Sequence, residues 1–597
     1  MCGITGYITN SDAEKKLIES LKLLEYRGYD SAGISILQNH KIYTTKNAGK
    51  IDDLEKLIYF NKTSTCGIAH TRWATHGSPN NTNAHPHLSN DKSWAVVHNG
   101  IIENFNELKL ELKEKKYKFK SQTDTEVVCN MFQDMYNSNP IETLINVCNK
   151  LIGSYAFVCL NANFDNTLFL AKNKSPLFIA STKNDVMVAS DVSCFVGKSN
   201  NFFTLKDGEF CKADLNSIIF YNKEGKIIKK KPKKLSNFDI INSKQNYPYY
   251  MVKEILEEPK VLKNLIETYK NNKILDKFDK NFISKFNKVV FVGCGTAYHA
   301  SILGSKFLED FTGISTSAHV ASEFRYSNFK IDKKTLCIFV SQSGETADTI
   351  AATEKAKNNK ATTIALTNVL YSTLAQACKY VLPVCAGLEI AVASSKAYTS
   401  QLSVLYMFAK HIQNEKFNKN ENYEADILDI AKNIKMPNEK DFAKLVDKLS
   451  KTKNVFFIGR NYDYITALEA SLKLKEITYI FSSEHPAGEL KHGFLALIDK
   501  SSILFVIATN KKLLDKTLNG AFEAQSRGAK VIFVSQFDVP KEKLSKFYMV
   551  IKLQSFKEEL IPITSIPTFQ MLAYLTSVKK GLNPDQPRNL AKSVTVE

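Results

Sequence analysis

Two stretches of this chain recur, and the recurrence constrains the fold more than any other feature of the sequence. Asn287-Lys288-Val289-Val290-Phe291-Val292-Gly293 returns as Lys453-Asn454-Val455-Phe456-Phe457-Ile458-Gly459, and Leu336-Cys337-Ile338-Phe339-Val340 returns as Ile503-Leu504-Phe505-Val506-Ile507, at offsets of 166 and 167 residues. Such self-similarity means a duplicated unit. The repeated runs are continuously apolar rather than alternating, which suits strands buried on both faces of a parallel sheet covered by helices. Residues 279–418 and 445–587 are therefore expected as two doubly wound α/β domains.

The copies differ where a ligand would sit. In the first, Ser341-Gln342-Ser343-Gly344-Glu345-Thr346 follows a strand and precedes a helical run; the second has Ala508-Thr509-Asn510-Lys511 there. A plain helix N-cap needs one hydroxyl. Three hydroxyls, a glycine that lets the backbone approach, and the positive end of a helix suit a phosphate monoester. Ligands of open α/β sheets lie at the carboxyl ends of the strands, so Cys294-Gly295-Thr296 and Val392-Ala393-Ser394 are expected to join that loop. The second copy contributes charge: Glu469, Lys473 and Glu476, spaced four and three apart, share one face of a helix expected over 465–477.

Bulk properties narrow the class. At 597 residues, 44% hydrophobic and 24% charged, the chain exceeds a single core and reads as several domains. It lacks an apolar run of about 18 residues and a basic N-terminal region, which predicts neither a membrane span nor a signal peptide, hence the cytoplasm. Eleven cysteines without a CxxC pair fit reduced thiols. The net charge of +19 is spread among acids, and the one dense lysine run, 229–234, has no interleaved aromatics, so a nucleic-acid function is set aside. That run falls in a polar linker expected over 223–278, with a docking helix opening near Tyr250 and Pro259.

Residues 2–222 alternate short strands with a few helices, at 13–24, 105–115 and 124–136, giving an α+β domain of sheet layers. Cys2 stands out because removal of Met1 would put a thiol and an α-amine on one residue, and an amine of pKa about 7.7 to 8.0 can deprotonate a neighbouring nucleophile. Around it lie Glu25-Tyr26-Arg27-Gly28-Tyr29-Asp30, His70-Thr71-Arg72-Trp73-Ala74-Thr75-His76-Gly77, Asn83-Ala84-His85-Pro86-His87, His98-Asn99-Gly100 and Thr123-Asp124-Thr125-Glu126. Five histidines between His70 and His98 raise the question of zinc, but no cysteine pair accompanies them and no metal is expected.

These segments resemble the glutamine amidotransferases of the N-terminal-nucleophile type. The resemblance implies a sandwich-like glutaminase fold, Cys2 as nucleophile, Asn99 and Gly100 as oxyanion donors, and glutamine held by Arg72, Trp73, Thr75, His76 and Asp124. An arginine fork suits a carboxylate, and amide N–H groups suit the charge of a tetrahedral intermediate. The second half resembles paired sugar isomerase (SIS) domains. With the tail Gln586-Pro587-Arg588-Asn589-Leu590-Ala591-Lys592-Ser593-Val594-Thr595-Val596-Glu597, the whole order resembles the isomerising amidotransferases that move glutamine nitrogen onto fructose 6-phosphate in amino-sugar biosynthesis.

By that resemblance residues 588–597 form a catalytic tail in which Lys592 makes a Schiff base, His492 assists ring opening and Glu476 moves the proton between C1 and C2. The sugar phosphate falls to Thr296, Ser341, Gln342, Ser343, Thr346, Val392 and Ser394. It implies no cofactor, an enclosed apolar path for ammonia with Trp73 as a wall, and at least a homodimer in which a second copy supplies His492. The tail is expected beside Thr296 and Ser394, with Lys473 and Arg588 as neighbours of Lys592. Ala297 departs from the serine usual in the family, and Glu484-His485-Pro486 has no assignment. An amidotransferase acting on a phosphoribosyl diphosphate would need a strand-end loop with adjacent acids, and a sugar-phosphate sensor would need neither Cys2 nor Lys592; the sequence favours neither.

Overall fold

The computed structural model describes residues 2–58, 64–73, 76–235, 244–540, 542 and 545–595. The chain divides into two compact units: Met1–Asn242 together with Ala591–Glu597, and Ser243–Leu590.

The first unit is built on two antiparallel sheets, of eight and seven strands. Gly3–Thr9 lies inside the first sheet, paired with Cys66–Arg72 on one side and Asp185–Ala189 on the other. In the second sheet Trp94–Ile102 pairs with Gly153–Asn161. Successive side chains of a strand point to opposite faces, so one strand serves two cores. Ala95 and Val97 join Ile4, Ile8, Ile68 and Val188 between the sheets, whereas Trp94 and Val96 pack beneath the helices Phe105–Glu114, Thr125–Asp134 and Pro140–Lys150. The same alternation turns Asn99 toward the facing sheet, where His70 has the parity of Ile68. The helix Pro140–Lys150 was not expected; Asn139 caps it and proline occupies its first turn.

The second unit holds two parallel five-stranded sheets of identical order. One runs Ser315–Val320, Lys288–Gly293, Thr335–Ser341, Thr362–Thr367, Tyr380–Pro383; the other runs Phe481–Pro486, Asn454–Gly459, Ile503–Ile507, Lys530–Ser535, Met549–Lys552. Their registers match, with Val292 opposite Phe339 and Ile458 opposite Val506. Even the turns agree: Gly295 at φ +53° precedes the helix Thr296–Thr312, and Asn461 at φ +58° precedes Tyr462–Thr478. The stretch Glu484-His485-Pro486 is the end of an edge strand, with the His485 ring stacked on Phe494 at 4.2 Å.

The expected linker of 223–278 is only partly one. Ile227–Ile228 and Lys233–Lys234 pair into the sheets of the first unit. The helices Tyr250–Leu256 and Glu258–Asn271 belong to the second unit, burying Met251, Ile255, Leu262 and Leu265. Glu258–Asn271 buries an apolar stripe and Tyr250–Leu256 is buried almost all round, within a stretch whose composition is polar and Lys-rich.

Candidate active site

In the first unit Cys2 stands at the start of the central strand, half-buried, with its thiol 3.2 Å from the backbone N–H of Trp73. Burial pushes the thiol up, and the Trp73 N–H and the Arg72 charge oppose that rise. The Asn99 amide donates to the Cys2 carbonyl at 2.8 Å, and its oxygen lies 3.1 Å from His70 Nε2. Beside it Gly100 takes φ +129°, and a Cβ there would meet the Ser154 carbonyl at 2.0 Å, so only glycine fits.

Arg72 ends the strand Cys66–Arg72. It donates through Nη2 to the His76 carbonyl, and its buried Nη1 has no hydrogen-bond partner among the described residues. An unpaired guanidinium N–H in a buried site fits an incoming carboxylate. Asp124, next to Thr125–Asp134, accepts from the Ile102 N–H at 2.9 Å. Trp73 meets Tyr29 edge-on at 5.6 Å, and the His76 ring meets Phe105 at 5.5 Å. Thr75 lies outside the described residues.

The clustered histidines form a buried layer behind these groups. His85 and His98 both reach the Thr125 hydroxyl at 2.9 Å, and His87 reaches Thr123 at 3.0 Å. Burial depresses all four imidazoles, His70 to about 3. Among the described residues no group of three His, Cys, Asp or Glu has the arrangement of a metal site. Their contacts fall on Asn99 and on Thr123 and Thr125 at the start of the helix Thr125–Asp134.

In the second unit the hydroxyl-rich loop connects the strand Thr335–Ser341 to the helix Ala347–Asn358. Thr346 occupies the N-cap position yet makes no capping hydrogen bond with its side chain. Its hydroxyl lies 3.0 Å from that of Ser341, which in turn accepts from the Gly344 N–H at 3.0 Å. Gly344 at φ +64° leaves no room for a Cβ, which would stand 2.0 Å from the Ser372 hydroxyl. Thr346 thus leaves the helix N-terminus without a hydroxyl cap of its own, an arrangement compatible with an anion there. The Gln342 carbonyl accepts from the Asn368 N–H at 3.1 Å. Val392 donates its N–H to the Asp585 carbonyl at 3.0 Å, and the Ser394 hydroxyl donates to Glu389 at 3.0 Å.

The corresponding place in the second copy carries its own anion. Asp463, the counterpart of Ala297, accepts from the Thr509 N–H at 2.9 Å and from the Thr509 hydroxyl at 2.5 Å. Burial raises this carboxyl to about 6.

Charged side chains of the helix Tyr462–Thr478 meet the first copy directly. Glu469 accepts from the Thr296 hydroxyl at 3.0 Å and lies 2.7 Å from His299 Nδ1. Lys473 stands 3.4 Å from Glu469 and 2.6 Å from Glu476. Lys473 is therefore engaged by carboxylates, which raise its pKa against the opposing cost of burial, and it is not a free positive neighbour for Lys592. His492 is exposed, just after the short turn Glu489–Lys491.

The expected tail is divided: Arg588 is in the second unit, its guanidinium 4.2 Å above the Tyr479 ring, whereas Lys592, half-buried, falls in the first. Sequence reasoning missed His299 and Glu389. His299 was visible only as a polar residue three places after Thr296, on the same helix face.

Comparison with known proteins agrees with this division of labour. The SIS domain model matches residues 282–411 and 448–580, and the glutamine amidotransferase domain model matches 70–197. The glutamine–fructose-6-phosphate aminotransferase (isomerizing) of Clostridium tetani is 40% identical over the whole of both chains, and that of Thermococcus kodakarensis 39%, again over the whole of both. Among solved structures, the C-terminal domain of glucosamine-fructose-6-phosphate aminotransferase from Francisella tularensis is 31% identical with a TM-score of 0.54, covering 58% of this chain and all of that one. Tagatose-6-phosphate ketose/aldose isomerase from Escherichia coli shares the fold at 17% identity and TM-score 0.50, over 58% of this chain and 96% of its own. Fold and site together define a glutamine amidotransferase domain joined to a pair of SIS domains. The chain belongs to the glutamine–fructose-6-phosphate aminotransferase (isomerizing) family.

Proposed function

We infer that this protein hydrolyses L-glutamine at Cys2 and transfers the ammonia to D-fructose 6-phosphate with ketose-to-aldose isomerisation, giving D-glucosamine 6-phosphate and L-glutamate. The observation that carries this reading is the full-length match to relatives named for that reaction. In it the Cys2 thiolate attacks the glutamine amide carbon, Arg72 and Asp124 bind the α-carboxylate and α-amine, and Trp73, Thr75 and His76 line the pocket. Asn99 and Gly100 donate to the oxyanion. The Asn99 contact with the Cys2 carbonyl supports this, because turning toward substrate exchanges one acceptor for another.

For the sugar half, Ser341, Gln342, Ser343 and Thr346 hold the phosphate, with Thr296, Val392 and Ser394 around the chain. Lys592 attacks C2 of the open ketose and loses water to form an imine, and ammonia then displaces the lysine nitrogen. Glu476 takes a proton from C1 and delivers one to C2, leaving an aldehyde at C1 and an amine at C2. The 2.6 Å contact of Glu476 with Lys473 supports its role as a carrier, since the ammonium fixes the orientation of the carboxylate. His492, exposed in its own chain, would assist ring opening in a second copy of a homodimer. Neither metal nor organic cofactor is needed, because the shift is internal to the sugar. A cytoplasmic location fits the eleven free cysteines.

Incubation with amide-15N glutamine and fructose 6-phosphate tests the reading. The expected product is an amino-sugar phosphate carrying the label; glutamate without labelled amino sugar would overturn it.

A further inference from the structure

We propose that His299 is a positioning residue for the sugar chemistry: its imidazole fixes the buried carboxylate of Glu469 between the Thr296 hydroxyl and the Lys473 ammonium, and so aligns Lys473 on Glu476. The proposal rests on the reading of Glu476 as the proton carrier.

Four contacts make a continuous chain. His299 Nδ1 meets Glu469 Oε2 at 2.7 Å, while the other oxygen, Oε1, accepts from Thr296 at 3.0 Å and faces Lys473 at 3.4 Å; Lys473 then meets Glu476 at 2.6 Å. The Glu469 side chain is fully buried and that of Lys473 is 1% exposed, whereas Glu476 is 21% exposed and open to a substrate. A buried carboxylate without donors on both oxygens is costly and free to turn. His299, 12% exposed, is the donor that occupies Oε2. Two carboxylates against one ammonium also leave a negative excess, which a donor ring beside Glu469 offsets. The chain joins helix Thr296–Thr312 of one copy to helix Tyr462–Thr478 of the other, so its geometry belongs to the duplication.

The mechanism is specific about what fails. Without the ring, Glu469 turns away, Lys473 loses one of its two anchors, and the Lys473–Glu476 pair drifts; phosphate contacts at Ser341 to Thr346 are untouched. The test compares three proteins in the full chain: wild type, His299→Phe, which keeps a ring without a donor, and His299→Asn, whose amide can present an N–H near the place of Nδ1. Amino-sugar phosphate formation by wild type establishes the underlying reading, and its absence would fault that reading rather than the His299 comparison. Given activity, His299→Phe is expected to lower kcat for amino-sugar synthesis about 10- to 100-fold with KM for fructose 6-phosphate within about threefold and the glutaminase rate unchanged, and His299→Asn to recover most of kcat. Should His299→Phe not fold, as judged by its melting curve, His299→Leu takes its place. In a Glu469→Gln background the His299→Phe change should cost much less than alone, because the charge it serves is gone. Unchanged kcat in the folded donor-less variant, equal losses in His299→Phe and His299→Asn, or additive effects with Glu469→Gln would each overturn the proposal.

Discussion

At the scale of single residues, the proposed roles of Cys2 as nucleophile and Arg72 as specificity group can be tested separately. Cys2→Ala is expected to lower glutamine hydrolysis at least a thousandfold while leaving fructose 6-phosphate affinity within about twofold, because the hydroxyl-rich loop lies in the other unit. Isothermal titration with the sugar phosphate checks the second half, and a matching loss of affinity would refute the separation. Arg72 differs in kind: its Nη1, without a hydrogen-bond partner among the described residues, is proposed to take the glutamine carboxylate, and Arg72→Lys keeps the charge but not the fork. Losing one hydrogen bond to a charged group, worth about 1.5–3 kcal/mol, predicts KM for glutamine raised roughly 10- to 100-fold with kcat little changed. Steady-state glutaminase kinetics read this directly, and a fall in kcat alone would contradict it.

At the scale of elements, the strand–loop–helix at Thr335–Asn358 is where sequence and structure agree most closely. Changing Ser341, Ser343 and Thr346 together to alanine is expected to weaken fructose 6-phosphate binding by several kcal/mol, less than the sum of the single effects, with glutaminase preserved. Unchanged affinity in a calorimetric titration would move the phosphate elsewhere. This loop was legible because its signal is local: an apolar run stops, hydroxyls and a glycine follow, and helix formers begin. Cys2, Arg72, Asn99 and Asp124 were singled out on another ground, since their motifs resemble a family, and period-two alternation brings Asn99 and His70 face to face. What was not legible depends on which helix faces meet. Nothing local marks His299 as a partner of Glu469, which lies 170 residues away. The helices Tyr250–Leu256 and Glu258–Asn271 were likewise read as part of a joint because the stretch is polar in composition, whereas burial, of a stripe on the second and of charged as well as apolar residues on the first, decides where they pack.

At the scale of the whole molecule, buried groups are expected to make stability fall below about pH 6.5 in the first unit and, through Glu258, between pH 6.5 and 8 in the second. Burial holds His70, His85, His87 and His98 below their ordinary range, so below about pH 6.5 the unfolded chain binds protons that the folded first unit does not. That unit then loses stability as pH falls, by up to about 1.4 kcal/mol per pH unit for each imidazole. Glu258 in the second unit is raised to about 8 by burial, with Glu389 adding to it. Between its unfolded value of about 4.3 and pH 8 the folded state keeps a proton that the unfolded state has released, so stability falls as pH rises. Differential scanning calorimetry should therefore show the first unit's transition lowered from pH 6.5 to 5 and the second's lowered from pH 6.5 to 8; a second-unit transition unchanged between pH 6.5 and 8 would count against the Glu258 assignment. The duplication has a further consequence at Asp463, which satisfies in the second copy the N–H and hydroxyl of Thr509 that would otherwise face an anion. That crevice is stoppered by the chain itself, and titration should find one equivalent of fructose 6-phosphate per polypeptide. A sheet that carries its own permanent occupant no longer has to fit a passing one, and the helix beside it can vary until its side chains serve the neighbouring copy, as Glu469 and Lys473 do.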